Sequence, residues 1–135
     1  MAKILVVDDD AATAELVAAQ LRRSDHRVQT AGSASDALKL LSGGGSPDVA
    51  VLDIGLPDMD GRDLLVALRE LPGLDKLPGI FLSGHVEQEE VEAGRALGAR
   101  YLTKPYVRSA LLEAIRLALL EAASREDANQ PGAGW

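Results

Sequence analysis

The chain has 135 residues, 47% of them hydrophobic and 26% charged, which is typical of one soluble globular domain. Its formal charge of −7 disfavours direct binding to nucleic acid, because phosphate contacts need clustered Lys and Arg. The lack of cysteine excludes disulfides and thiolate metal sites. No apolar run of about 18 residues occurs, and the N-terminus enters a strand pattern directly. We therefore expect neither a membrane span nor a signal peptide, and predict a cytoplasmic protein.

Five short segments predict β-strands, at residues 4–7, 26–31, 49–52, 80–82 and 101–103. The second segment is polar enough to suit an edge of a sheet. After each strand, apolar residues recur at helical spacing, which predicts five helices. Their apolar faces are Ala14, Val17, Ala18 and Leu21; Ala34, Ala37, Leu38 and Leu41; Leu64, Ala67, Leu68 and Leu71; Val91, Ala93 and Leu97; and Leu111, Ala114, Ile115 and Ala118.

This strict alternation of strand and helix predicts an α/β fold, a five-stranded parallel sheet with helices on both faces. The fourth helix has the thinnest apolar face, so we expect it to be loosely held. Residues 1–122 are predicted to form one domain. From residue 123 onward the sequence turns to polar residues, Pro and Gly, which predicts a flexible C-terminal tail or the start of a linker.

The segment from Val49 to Gly61 is the most informative part of the chain. Four apolar residues lead into Asp53, and a loop containing Pro and Gly follows. Such a run predicts a strand buried on both faces, with Asp53 at its C-terminal end. Open α/β sheets bind their ligands at that end. Asp60 and Gly61 are best explained as turn and helix-start residues.

Other predicted strands also end in polar residues. Strand one is followed by Asp8, Asp9 and Asp10, strand four by Ser83, and strand five by Lys104. Parallel strands bring these ends to one rim, where several carboxylates would repel each other unless a cation joined them. Mg²⁺ suits such oxygen ligands, and with an ammonium and a hydroxyl nearby the set predicts phosphoryl-transfer chemistry. Asp10 is better explained as the N-cap of the first helix than as a metal ligand.

These motifs resemble the receiver domain of two-component response regulators, the family of the chemotaxis response regulator. The matching segments follow the family's order and spacing: residues 5–10 (LVVDDD), 51–61 (VLDIGLPDMDG), 82–84 (LSG), 98–102 (GARYL) and 103–106 (TKPY). The resemblance covers roughly residues 1–122 and is highly specific because all five segments are in register. It implies a flavodoxin-like doubly wound (βα)5 fold with strand order 2-1-3-4-5.

The resemblance also implies a role for each matching residue. Asp53 would be the phosphoacceptor, attacking a kinase phosphohistidine to form an aspartyl phosphate. Mg²⁺ (or Mn²⁺) would be held by Asp8, Asp9, Asp53 and the backbone carbonyl of Gly55, with Asp9 the more direct ligand and Asp8 acting through water.

Residues on the last two strands complete the implied site. Lys104 would pair with the phosphoryl oxygens, and the Lys104–Pro105 peptide would be cis. Ser83 would hydrogen-bond the phosphoryl group and draw its loop inward. Tyr101 would then move from outside to inside and change the surface of the fourth helix, the fifth strand and the fifth helix. Simple packing at an edge strand is the alternative explanation of Tyr101.

Two positions would set the dephosphorylation rate by this resemblance, Gly55 and His85. Gly55 leaves an open path for water, whereas His85 could cover that path or position the water. We therefore hypothesise a transient phosphorylation. The family often has Thr where this chain has Ser83, and Phe where it has Tyr106; Ser keeps the hydroxyl and Tyr keeps the ring.

The implied partners are a sensor histidine kinase or phosphotransfer protein upstream, and a downstream protein or output domain. The chain would be a regulatory switch rather than an enzyme, although it would catalyse its own phosphorylation and dephosphorylation. We expect no direct contact with nucleic acid or membrane. Leu112, Leu119 and Leu120 leave two explanations open, ordinary packing or a surface for a partner or homodimer on the fourth helix, fifth strand and fifth helix.

Three other functions fit the sequence less well. A hydrolase of the haloacid dehalogenase type would use Asp8 and Asp10, but it needs Thr or Val where this chain has Ala12. A flavodoxin-like flavin binder would need a phosphate-binding loop where the acidic triplet lies. A phosphorylation-independent receiver scaffold would lack required residues, and all of them are present here.

Overall fold

The computed structural model describes residues 2–84 and 87–129. Strands and helices alternate strictly through these residues. The strands are β1 (Lys3–Val7), β2 (Arg27–Ala31), β3 (Val49–Asp53), β4 (Gly79–Ser83) and β5 (Ala99–Thr103). The helices are α1 (Ala11–Arg22), α2 (Ala34–Ser42), α3 (Gly61–Arg69), α4 (Gln88–Ala96) and α5 (Arg108–Asn129).

The strands form one parallel sheet in the order β2-β1-β3-β4-β5. This confirms the doubly wound fold and the strand order that the resemblance implied. The register pairs Val7 with Leu52 and Asp53 with Leu82, so the C-terminal ends of β1, β3 and β4 meet at one rim. The polar strand β2 lies at an edge, as its sequence predicted.

Apolar side chains fill both faces of the sheet. Because side chains alternate along a strand, Leu5 and Val7 of β1 pack among residues of α2 and α3, whereas Ile4 and Val6 pack among residues of α1 and α5. Each fully buried Leu, Ile or Val stabilises the fold by about 1.5–3 kcal/mol relative to an exposed one. The sheet is therefore held between two apolar layers.

Strand β3 is the most deeply buried element. All four of its apolar residues, from Val49 to Leu52, are 0% exposed. This confirms the prediction of a strand buried on both faces. Asp53, the next residue, is only partly buried, because the strand emerges there at the rim of the sheet.

Three helices begin with side-chain caps, and the sequence predicted two of them, Asp10 and Asp60. Asp10 accepts hydrogen bonds from the backbone N–H groups of residues 12 and 13, Ser33 accepts one from residue 36, and Asp60 accepts one from residue 62. Such caps satisfy donors that lack a partner within the helix. Ser33 is therefore the N-cap of α2.

Helix α4 has little apolar contact with the rest of the fold. Within it, Gly94 is the buried residue, Val91 is partly buried and Ala93 is exposed. Leu97 follows as the C-cap and is partly buried against the core. The thin apolar face predicted from the sequence is thus confirmed. The buried residue of α4, Gly94, packs against the ring of Tyr101.

Helix α5 continues to Asn129, so it includes the first residues of the predicted tail or linker, residues 123–129. Residues 123–129 include neither Pro nor Gly, the two residues that most disfavour a helix. The next Pro or Gly in the chain is Pro131. Residues 130–135 lie outside the described residues, so a tail there stays a prediction. Over the described residues, no helix is long and apolar enough to cross a membrane.

The apolar residues at the edge of α5 divide between the two explanations left open. Leu112 and Leu119 are partly buried against the core layer that contains α1, which is ordinary packing. Leu120 is 53% exposed. Of the three leucines, Leu120 is therefore the one that internal packing does not explain, and a role in a partner surface stays open for it.

Candidate functional site

Three carboxylates meet at the C-terminal rim of the sheet. Asp8 and Asp9 follow β1, and Asp53 ends β3, its neighbour in the sheet. One oxygen of each carboxylate lies within 4.8 Å of one oxygen of each of the others. Asp8 is buried, Asp53 is partly buried and Asp9 is exposed, so the cluster opens toward solvent at Asp9.

Asp8 is held inside the protein with only one oxygen well paired. Its Oδ1 accepts a hydrogen bond from the Asp10 N–H at 3.0 Å. Its Oδ2 is buried and has no hydrogen-bond partner among the described residues; the Nζ of Lys104, 3.5 Å away, is within ion-pair distance. Burial raises the pKa of Asp8 and the charge of Asp53 adds to this, while the Asp10 N–H and Lys104 act in the opposite direction.

Lys104 brings one positive charge to two of the carboxylates. Its Nζ lies 3.6 Å from Asp53 Oδ1, at nearly the same distance as from Asp8 Oδ2. The backbone N–H of Lys104 donates to the Ser83 carbonyl at 2.7 Å, which fixes the end of β5 beside β4. The Lys104–Pro105 peptide is cis, as expected.

The loop after Asp53 folds back onto the end of its own strand. Gly55 donates its N–H to Asp53 Oδ1 at 3.3 Å and forms a β-bridge with Asp60. The Gly61 N–H donates to the Ile54 carbonyl at 3.0 Å. A Cβ on Gly61 would lie 3.0 Å from Ile54 Cα and nearer still to the Asp53 carbonyl oxygen, so this position requires glycine.

One side of Asp53 is open. A Cβ built on Gly55 would meet no described atom within 4 Å, and Gly55 itself is exposed. No side chain at position 55 therefore covers this side of the Asp53 carboxylate; a path for water past Gly55 stays a prediction. His85, the other residue expected to act on this path, lies outside the described residues.

Asp58 joins the same loop to helix α2. Its two carboxylate oxygens accept hydrogen bonds from the N–H groups of Ala34, at 3.0 Å, and Ser35, at 2.9 Å. These bonds lower the pKa of Asp58, because they favour the charged form. The first turn of α2 is thus anchored by a residue that follows Asp53 in the chain.

Ser83 and Tyr101 lie on the neighbouring strands β4 and β5. Ser83 ends β4, opposite Thr103 and next to the Lys104 backbone. Tyr101 pairs with Phe81 across the two strands, with ring centroids 5.1 Å apart and ring planes at 51°. The Tyr101 hydroxyl is buried and its ring covers Gly94 of α4.

The structure thus brings most of the predicted site residues together. Asp8, Asp9, Asp53 and Lys104 form one charged cluster, and Ser83 ends the strand beside it. Tyr101 lies where β5 meets α4, with its hydroxyl already buried and its ring against Gly94; the outside starting position that the resemblance implied is not observed.

The carboxylate cluster fits a divalent cation. The buried Oδ2 of Asp8, which has no hydrogen-bond partner among the described residues, lies in the cluster, and Asp53 and Asp9 offer further oxygens to the same space. Hard cations such as Mg²⁺ prefer oxygen ligands and retain several waters, which the exposed side at Asp9 would admit. Lys104 neutralises part of the negative charge of the three carboxylates.

Two residues that organise this region were missed by the sequence analysis. Asp58 stands in a loop where an acidic residue suggests only a turn, and Arg62 lies in the first turn of α3, where it pairs with Asp60 and with Glu90 of α4. Their partners are more than 20 residues away in the chain, apart from Asp60. No local sequence pattern reports such contacts.

A doubly wound sheet with an acidic cluster and a lysine at its C-terminal rim defines a class of protein suited to phosphoryl chemistry on a carboxylate. The comparison with known families is more specific. Residues 4–116 match the family model of the response regulator receiver domain. The chain belongs to this family and is a receiver domain of two-component response regulators, a phosphorylation-dependent regulatory switch.

Individual relatives agree with this assignment. The transcriptional regulatory protein AfsQ1 of Streptomyces coelicolor is 36% identical over 135 residues, which cover 99% of this chain and 58% of AfsQ1. The probable transcriptional regulatory protein TcrX of Mycobacterium tuberculosis is 42% identical over 105 residues, 76% of this chain and 43% of TcrX. The chain therefore spans about half the length of these two relatives.

Solved structures show the same fold. The chemotaxis response regulator CheY4 of Vibrio cholerae superposes with a TM-score of 0.79 at 29% identity, covering 88% of this chain and 99% of that one. A CheY-like receiver domain protein of Methanospirillum hungatei gives a TM-score of 0.79 at 30% identity, covering 91% and 97%. The similarity to both extends over nearly the whole of each chain.

Proposed function

We propose that Asp53 is the phosphoacceptor of this receiver domain. The observation that carries the proposal is the position of its carboxylate, at the end of a fully buried strand, beside two more carboxylates and 3.6 Å from the Lys104 ammonium. A carboxylate oxygen of Asp53 attacks the phosphorus of a phosphohistidine, the P–N bond breaks, and the histidine nitrogen leaves with the bonding electrons and takes a proton.

Asp8, Asp9, Asp53 and the backbone carbonyl of Gly55 would hold Mg²⁺, or Mn²⁺, at this rim. The bound cation supplies positive charge for the phosphoryl oxygens. Asp8 and Asp9 would keep that charge beside the acceptor.

Lys104 and Ser83 hold the transferred group. The Lys104 ammonium, which pairs with Asp53 in the unphosphorylated protein, pairs with a phosphoryl oxygen after transfer. The Ser83 hydroxyl donates a hydrogen bond to another phosphoryl oxygen. Tyr101 carries the change to the surface formed by α4, β5 and α5, which then binds a downstream protein or an output domain differently. This surface is also where we would place a homodimer contact.

The phosphorylated state is transient. The open side at Gly55 admits the water that attacks the phosphorus and releases phosphate from Asp53, and His85 would modulate that step. The chain thus catalyses its own phosphorylation and dephosphorylation while acting as a switch for others. Its donor is a sensor histidine kinase or a phosphotransfer protein, and both reactions take place in the cytoplasm.

The acceptor is tested by incubating the protein with acetyl phosphate and Mg²⁺ and measuring its intact mass. Wild type should gain the mass of one phosphoryl group, and Asp53→Asn should gain none. Asp75→Asn, an exposed aspartate in the turn after α3, is the matched control and should be phosphorylated like wild type. An unmodified wild type, or a phosphorylated Asp53→Asn variant, would contradict the proposal.

The cation is tested without phosphorylation, by unfolding the protein in Mg²⁺ or in a chelator. Ligand bound only to the folded state at 100 times its Kd stabilises by about 2.7 kcal/mol. Saturating Mg²⁺ should therefore stabilise wild type by about this amount, and Asp9→Asn, an exposed residue in the cluster, should lose most of the effect. Equal Mg²⁺ effects in both proteins would exclude Asp9 as a ligand.

A further inference from the structure

Arg62, in the first turn of α3, links that helix to α4, which is part of the surface formed by α4, β5 and α5. Its Nε and Nη2 donate to the two oxygens of Asp60, at 2.9 and 2.7 Å, in a bidentate pair. Its Nη1 reaches Glu90 of α4 at 3.4 Å. The guanidinium is 35% exposed, and its rigid fork allows both carboxylates to be held at once. Arg62 therefore ties the first turn of α3 to α4.

The Asp60 end of this link leads directly to the acceptor strand. Asp60 forms the β-bridge with Gly55 and is the N-cap of α3. Gly61, between Asp60 and Arg62, packs on the backbone of Asp53 and Ile54. A displacement of the loop after Asp53 would therefore move the Asp60 carboxylate, which orients the Arg62 guanidinium.

The other end of the link reaches Tyr101. The Tyr101 hydroxyl is buried and has no hydrogen-bond partner among the described residues. Arg62 is connected to the ring through α4, because it pairs with Glu90 and Gly94 of the same helix lies against the Tyr101 ring. Helix α4 has little apolar packing of its own. The ion pair between Arg62 and Glu90 therefore contributes strongly to the position of α4 and of the Tyr101 ring.

We propose that Arg62 is a positioning residue that couples the loop after Asp53 to helix α4 and keeps Tyr101 in its buried orientation. This path runs along α3 and is separate from the one through Ser83. Its effect on Tyr101 holds in the unphosphorylated protein; its importance for signalling rests on the proposed function.

The chain contains two tyrosines, Tyr101 and Tyr106, which makes a direct test practical. Protein labelled with 3-fluorotyrosine gives one ¹⁹F NMR signal for each, and Tyr106→Phe assigns them. In Arg62→Met, which keeps an apolar side chain of similar length, the Tyr101 signal should move toward that of exposed fluorotyrosine. Its response to exchanging H₂O for D₂O should increase as well, because the hydroxyl and ring become solvated.

Two further variants complete the test. Arg116→Met is the matched control, since Arg116 is an exposed arginine of α5 paired with Glu113 on its own helix, and its Tyr101 signal should stay at the wild-type position. Glu90→Gln weakens the α4 end of the link and should move the signal in the same direction as Arg62→Met.

A Tyr101 signal that stays in place in Arg62→Met would overturn the proposal. If that variant does not fold, an unchanged signal in Glu90→Gln would overturn it. The spectra need no phosphorylation, whereas the proposed function is judged on the same samples by the acetyl phosphate adduct. A wild type without an adduct would reject phosphorylation at Asp53 and leave the Tyr101 result standing.

Discussion

The ring of Tyr101 occupies the space that a side chain at Gly94 would need. A Cβ on Gly94 would lie 2.9 Å from Tyr101 Cδ2 and nearer still to Cε2, closer than packed carbon atoms approach. The glycine in the middle of α4 therefore lets the helix lie directly on the ring. The close approach makes the position of α4 depend on the orientation of Tyr101.

The first prediction concerns Gly94→Ala. Alanine in a helix interior is favoured over glycine by about 1 kcal/mol, but the clash with the ring costs about 1–3 kcal/mol. We expect a net destabilisation of about 1 kcal/mol in urea unfolding, and a displaced Tyr101 signal. Glu92→Ala, on the exposed side of the same helix, should change stability by less than about 0.5 kcal/mol. A more stable Gly94→Ala protein with an unmoved ring would contradict the close packing.

The second prediction concerns Gly61→Ala. Here the added methyl group would meet the backbone of Asp53 and Ile54, which cannot rotate away as a side chain can. We expect a loss of about 2–3 kcal/mol in the free energy of unfolding, and a lower yield of phosphorylated Asp53 because its strand end is displaced. Gly32→Ala, whose Cβ would meet no described atom within 4 Å, is the control and should unfold like wild type.

The third prediction concerns the anchor between Asp58 and helix α2. Asp58→Ala leaves the N–H groups of Ala34 and Ser35 without their acceptor, so the urea midpoint should fall. The pKa of Asp58 is lowered in the folded protein, so its contribution is present above the unfolded value of 3.8 and is lost as the pH falls through the lower folded value. The difference between wild type and Asp58→Ala should therefore shrink in strong acid.

Asp75→Ala, another exposed aspartate, is the control for this loop. Its midpoint should match that of wild type at every pH. Equal midpoints for Asp58→Ala and wild type at neutral pH would show that the two hydrogen bonds contribute nothing to stability.

The fourth prediction concerns His26, whose Nδ1 accepts a hydrogen bond from the Ala2 N–H at 3.1 Å. Partial burial lowers the pKa of His26 below its ordinary value of 6.5. The neutral form is thus favoured in the folded state, and its full contribution is present above pH 6.5. Stability should fall as the pH drops from there through the folded pKa, because the unfolded chain binds the proton more readily.

His26→Asn removes that titration. The free energy of unfolding of wild type, measured relative to His26→Asn between neutral and mildly acidic pH, should decrease as the pH falls. The subtraction cancels the carboxylates that titrate in both proteins. A constant difference across this range would mean that His26 has the same pKa in the folded and unfolded states.

The sequence by itself determined the elements and most of the charged cluster. Residues 49–52 are apolar without interruption, which only a strand buried on both faces requires, and the structure buries all four completely. Asp8, Asp9, Asp53 and Lys104 could be placed together because parallel strands end at one rim, whatever the details of packing. The caps Asp10 and Asp60 followed from local backbone chemistry alone.

Only the tertiary structure decided the contacts between distant segments. The pairing of Arg62 with Glu90, of Asp58 with the start of α2, and of Tyr101 with Gly94 depends on how helices lie against the sheet. Local patterns report which face of an element is apolar, and they do not report which atoms on two packed faces meet.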